Sequence, residues 1–289
     1  MKTNAIIRII LFSLAILALV SILLGFHSFE MYINDGKVRI DHSLTPEALE
    51  QLQTKNISAD IRNIEIEWAA GSITFQKDPH ATSITVHEFS PVESDHIMVL
   101  KQSGQTLKIQ FSEKDFGLIG LGGINVDVSK DLVITVPAEW TCNSLEIDTA
   151  AAEVIMNDLT IREFDLDGAS GECRMTNCDI GELDINTASG NVHFSGTLET
   201  LDCDAASADC TIEATNIPRS IELDGMSGEL ELILPPDAGF ICKLDTLSGS
   251  FDTDFEFSKH DDTYICGNGE CKINVKAMSS NVSILQGIA

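Results

Sequence analysis

The second half of the chain repeats one short phrase, in which an acidic residue, an apolar residue and a second polar residue are followed by a small-residue turn and another apolar strand. It occurs as Glu146-Ile147-Asp148 before Ala151-Ala152, Asp165-Leu166-Asp167 before Ser170-Gly171, and Asp184-Ile185-Asn186 before Ser189-Gly190. It continues as Asp202-Cys203-Asp204 before Ser207-Ala208, Glu222-Leu223-Asp224 before Ser227-Gly228, and Lys243-Leu244-Asp245 before Ser248-Gly249. Aligned on the last small residue, Ala152, Gly171, Gly190, Ala208, Gly228, Gly249 and Gly269 stand 19, 19, 18, 20, 21 and 20 residues apart, with weaker copies at Ala70-Gly71 and Ser279-Ser280. A unit of about 20 residues with two short strands cannot bury its own apolar side, so copies must stack on one another.

This constraint predicts an all-β solenoid. Its interior would hold Ile147, Leu166, Ile185, Cys203, Leu223 and Leu244 in one column, and Val154, Cys173, Val192, Cys210, Leu230 and Phe251 in another. The small-residue slot marks the turn between the strands, where a positive φ or close backbone approach is needed. A meander of antiparallel hairpins is the competing arrangement, but it does not require equal spacing. Period-two alternation extends upstream through Ile64-Glu65-Ile66-Glu67-Trp68, Ile84-Thr85-Val86, Leu107-Lys108-Ile109 and Leu132-Val133-Ile134. No helical period appears from Asp60 to Ala289. The one expected helix after the N-terminal segment opens at Thr45-Pro46-Glu47, with threonine as cap and proline at the first helical position, and runs to about Lys55. It would lie in a spacer, residues 27–59.

Ala5 to Phe26 is apolar apart from Arg8, and at about 1.5 Å per residue it spans roughly 33 Å, the width of a bilayer core. A cleaved signal peptide is the alternative, but no small-residue cleavage pattern follows Leu24-Gly25-Phe26. A single-pass anchor, residues 5–26, is therefore expected. Lys2 and Arg8 place the short tail, residues 1–4, in the cytoplasm, and residues 60–289 form the extracytoplasmic solenoid. With those two cations inside, 16 of the 18 basic residues and all 45 acidic ones lie beyond the span, a net charge of −29. Nucleic acid is excluded as a partner, since phosphate recognition needs clustered Lys and Arg. Aromatic residues make up 6 % of the chain, so the core is aliphatic.

The openings Ile64-Glu65-Ile66-Glu67-Trp68-Ala69-Ala70-Gly71-Ser72-Ile73 and Lys130-Asp131-Leu132-Val133-Ile134-Thr135-Val136-Pro137, with the serial Ser-Gly turns, resemble the bacterial putative-adhesin, β-strand-repeat family of unknown function. The resemblance covers roughly Asp60 to Leu285. It implies a right-handed β-helix-like fold, an extracytoplasmic place and single-span attachment, and it carries over no catalytic residue.

The acidic slots align into ladders. Glu146, Asp165, Asp184, Asp202 and Glu222 form one, and Asp148, Asp167, Asp204, Asp224 and Asp245, with Asn186 among them, form the other. Stacked at about 4.8 Å, these carboxylates repel one another and need relief. Either they accept hydrogen bonds from turn amides, or the Asp148, Asp167, Asp204, Asp224, Asp245 ladder takes up Ca²⁺ through hard oxygen ligands. No other cofactor is expected. The eight cysteines, all beyond the anchor, are either small buried hydrophobes or local disulfides, with Cys203–Cys210 and Cys266–Cys271 each flanking a turn.

No enzyme is expected. The seven histidines are scattered, and the recurrent turn serines single out no nucleophile. Gly117 to Gly123 lacks the lysine of a phosphate loop and precedes a strand pattern, so it reads as an apolar loop. The expected function is an adhesion or interaction scaffold at the cell envelope whose partner is a wall polymer or surface protein. The alternatives are an accessory regulator of an envelope-stress response working through a membrane partner, and a carbohydrate-active β-helix enzyme.

Overall fold

The computed structural model describes residues 33–34, 37–38, 50–90, 97–112, 129–248 and 250–287. The expected anchor and the Gly117–Gly123 loop lie outside them, and among the described residues no helix is long and apolar enough to cross a membrane. The described residues of the solenoid unit are all β, with parallel coils stacked one on the next. Residues exactly one repeat apart are register partners: Ile147 pairs with Leu166, Leu166 with Ile185, Ile185 with Cys203, and Cys203 with Leu223. The hydrogen-bonded strands can be traced as a closed circuit, yet this is a stack and not a barrel. Cys142–Asn157 meets Asn63–Asp78 on one side, and on the other it meets both Thr160–Gly168 and Cys173–Ser189, successive parts of the next coil.

Both predicted apolar columns are present and buried, from Ile147 to Leu244 and from Val154 toward Phe251. The order of the last coils is not that of the sequence. Cys271–Gln286 inserts between Ser220–Leu234 and Phe240–Ser248, so Val275 separates Leu223 from Leu244, and Val282 separates Leu230 from Phe251. Ser280 therefore occupies the slot expected for Gly269, which instead sits in the turn after Cys266 with φ +67°. The N-terminal end mirrors this. Asn63–Asp78 is covered on its outer side by Thr106–Gln110 and Lys130–Pro137, and on its inner side by the later segment Cys142–Asn157.

The glycine slot works as expected. Gly190 adopts φ +126°, and a Cβ there would lie 1.9 Å from the carbonyl oxygen of Gly171 in the coil beneath. No side chain fits that approach.

The spacer helix is corrected in its described part, because Glu50–Ile57 is a strand, antiparallel to Ile84–Ser90. Helix propensity there is a small term, and it yields to the hydrogen bonds offered by the otherwise open edge of Ile84–Ser90. That strand in turn pairs antiparallel with Lys130–Pro137. Beneath these added strands lies a buried ion pair. Lys130 Nζ stands 2.5 Å from Glu88 Oε1, and both side chains are fully buried. The ammonium also donates to the Phe111 carbonyl at 2.6 Å and lies 3.9 Å from the Phe111 ring and 5.0 Å from that of Trp68. Glu88 accepts from the Met98 amide, and Trp68 Nε1 donates to the Lys130 carbonyl. Desolvation lowers the Lys130 pKa, while Glu88 opposes that shift.

Candidate functional site

On each coil the residues flanking the buried Ile147-type position point outward together, because alternate strand residues share a face. Stacking then builds a flat acidic wall two columns wide. The first column reads Lys108, Glu65, Glu146, Asp165, Asp184, Asp202, Glu222, Asn274, Lys243. The second reads Gln110, Glu67, Asp148, Asp167, Asn186, Asp204, Asp224, Lys276, Asp245. All five ladder aspartates thus share one column, with Asn186 inside it and Lys276 between Asp224 and Asp245.

The wall is neutralised at its ends and strained in its middle. Lys108 lies 2.5 Å from Glu67 and 3.8 Å from Glu65, and Lys276 lies 3.1 Å from Asp224. Burial tends to raise the Glu67 pKa, but hydrogen bonds from Lys108 and Gln110 outweigh it and hold the carboxyl below its usual value. Hydrogen bonding to Glu67 likewise raises Lys108. In the middle, desolvation by the crowded neighbours, reinforced by the charges of Asp167, Glu146 and Glu67, pushes Asp148 up to about 6. Desolvation and then the charges of Asp167, Asp184, Glu146 and Asp148 push Asp165 up to about 7. Asp167 is also raised by desolvation, against a hydrogen bond from Asn186.

The turn-capping expected of the second column falls partly to another residue. The Ala152 amide donates to Thr149 Oγ1 at 2.9 Å, whereas Asn186 donates sideways to Asp184 at 3.1 Å. Outward-facing strand positions direct these polar groups along the wall, away from the turn. Among the described residues, no three His, Cys, Asp or Glu side chains converge in a way that could hold a metal ion.

All eight cysteines are buried free thiols. Cys203 and Cys210 are brought together, with sulfurs 3.5 Å apart inside the core. Cys266 and Cys271 flank the expected turn, with the Cys266 thiol directed to the Ala238 carbonyl. Desolvation pushes Cys142, Cys242 and Cys271 up to about 12, which suppresses thiolate nucleophiles at these positions.

A second surface was not anticipated. At the N-terminal end, Asn63–Asp78, Lys130–Pro137, Ile84–Ser90 and Glu50–Ile57 form one continuous sheet in that order. Two transverse rows run across it, Gln76-Thr135-Thr85-Asn56 and Thr74-Val133-His87-Thr54. None of the eight is Asp, Glu, Lys or Arg. Gln76 Nε2 donates to Thr135 at 2.9 Å, Thr85 donates to Asn56 at 3.3 Å, and Thr54 Oγ1 lies 2.9 Å from His87 Nδ1. The His87 and Phe89 rings stack at 6.1 Å, and an open cleft of about 570 Å³ adjoins Gln76, Thr85, His87 and Thr135.

Three solved structures share the general arrangement at low similarity. A putative cell adhesion protein from Clostridium sporogenes is 13% identical, with a TM-score of 0.34, over 83% of this chain and 100% of its own. A putative adhesin from Bacteroides fragilis is 11% identical, with a TM-score of 0.41, over 81% and 96%. A putative lipid binding protein from Parabacteroides distasonis is 14% identical, with a TM-score of 0.39, over 82% and 96%. No curated protein matches the sequence. Residues 61–285 match the model of the Toastrack DUF4097 family, nearly the whole stacked region built up above, and the chain belongs to that family.

Proposed function

We propose that this protein is a non-enzymatic, membrane-anchored scaffold that presents its β-solenoid to partners at the outer side of the cell envelope. The carrying observation is repetition: the same side chains recur in register along the wall from Glu65 to Asp245. A catalytic site needs a unique nucleophile, acid or base in a defined setting, whereas an extended array suits an extended or repetitive partner. The anchor at residues 5–26 and the acidity beyond it support the extracytoplasmic placement. Right-handed winding is the sense expected of parallel strands joined by crossovers.

Two measurements test this reading. Protease added to intact cells should degrade the solenoid, and protection until lysis would overturn the placement. The full-length chain should bind isolated envelope fragments, and failure to bind any would overturn the scaffold role.

A further inference from the structure

We infer that the uncharged sheet at the N-terminal end is a binding site for a neutral oligosaccharide, an assignment that rests on the scaffold reading. The argument begins with charge. In a protein of net charge −27, an anionic polymer is repelled at long range and a cationic one is drawn first to the acidic wall. The two rows from Gln76 to Asn56 and from Thr74 to Thr54 carry no charged side chain, so they offer neither partner a counter-charge. What they offer is hydroxyl, amide and imidazole groups at the strand spacing of about 4.8 Å. A threonine hydroxyl both donates and accepts, and a glutamine amide does both in one plane, which is the complement of a polyhydroxyl ligand.

Two further features point to the same ligand. The partly buried His87 and Phe89 rings stack with an interplanar angle of 26° and supply a flat apolar surface beside the polar rows, suited to the C–H face of a pyranose ring. The adjoining cleft of about 570 Å³ lies within the size range of small-ligand sites and is lined by Gln76, His80, Thr82, Thr85, His87 and Thr135. The hydrogen bonds Gln76–Thr135 and Thr54–His87 preset those side chains before a ligand arrives, which lowers the ordering cost of binding.

The test is calorimetric titration of the full-length chain in detergent with tetra-N-acetylchitotetraose and with maltotetraose, and with tetragalacturonate as a charged counterpart. At least one neutral tetrasaccharide should bind and tetragalacturonate should not. Gln76→Ala combined with Thr135→Val should weaken binding about tenfold through lost hydrogen bonds. Thr135→Ser, which keeps the hydroxyl, and Asp165→Asn, on the acidic wall, should bind as the parent does. Equal binding by the double variant, or binding of neither neutral probe, overturns the site. A chain that binds envelope fragments but no neutral tetrasaccharide overturns the site and leaves the scaffold reading standing. One that binds a tetrasaccharide but no envelope fragment does the reverse.

Discussion

The acidic wall and the neutral sheet are built on the same strand spacing and are opposite in character, and the difference comes from how each is assembled. The wall arises from parallel stacking of successive repeats, which sets like beside like, so one acidic slot becomes a column. The neutral sheet arises where Ile84–Ser90 and Glu50–Ile57 add antiparallel strands, which brings unlike sequences side by side. Stacking multiplies a residue choice, together with its repulsion, while antiparallel addition allows each position to be chosen separately.

That contrast can be broken most severely at the ion pair beneath the neutral sheet. Glu88→Ala leaves the Lys130 ammonium buried without its carboxylate and should cost about 3–5 kcal/mol, read as a lower urea midpoint. Hydrogen exchange should quicken first in Ile84–Ser90 and Lys130–Pro137, with the coils from Thr160 to Ala214 retaining protection. Uniform loss of protection would show that the two regions are not energetically distinct.

The wall's scaffold can be broken at its turn. Gly190→Val forces a Cβ against the Gly171 carbonyl at a φ forbidden to valine and should cost about 3 kcal/mol, seen by denaturant titration. A cost below about 1 kcal/mol would mean the coils can slide apart at this slot without penalty.

The smallest effect sharpens the electrostatic side. Asp148 and Asp165 keep their protons in the folded chain up to about pH 6 and 7, whereas the unfolded chain releases them near pH 4. The folded state binds more protons across that window, so stability is greatest below it and falls as pH rises from about 4 to 7. Asp165→Asn should therefore raise Tm at pH 8, by about 2–4 °C if one exposed, water-screened repulsion of roughly 1 kcal/mol is removed, and leave Tm at pH 4 almost unchanged. An equal gain at both pH values would assign the effect to packing.

The same contrast explains what could be read in advance. The columns through Ile147 and Val154, the Ser-Gly slot and the ladder from Asp148 to Asp245 were legible because parallel stacking maps a fixed sequence interval onto a fixed neighbour. The neutral sheet was not legible. Thr54, Thr85 and Thr135 are far apart in sequence with no common interval, and Glu50–Ile57 takes its conformation from the edge it covers. The exchanged places of Cys271–Gln286 and Phe240–Ser248 were hidden for a related reason. Two coils with the same column residues, Val275 and Leu244, are interchangeable by pattern, and only the hairpin Phe257–Cys266 between them reveals the detour.

That exchange bears on how the chain is completed during synthesis. Phe240–Ser248 is made before the coil on which it rests, so it has no parallel neighbour until Cys271–Gln286 emerges and slides into the gap. A chain ended near Gly269 would lose the support of two coils rather than one and leave Ser220–Leu234 with an open edge. The last 16 strand residues thus act as a keystone, and the C-terminal quarter of the stack closes in one step when they arrive.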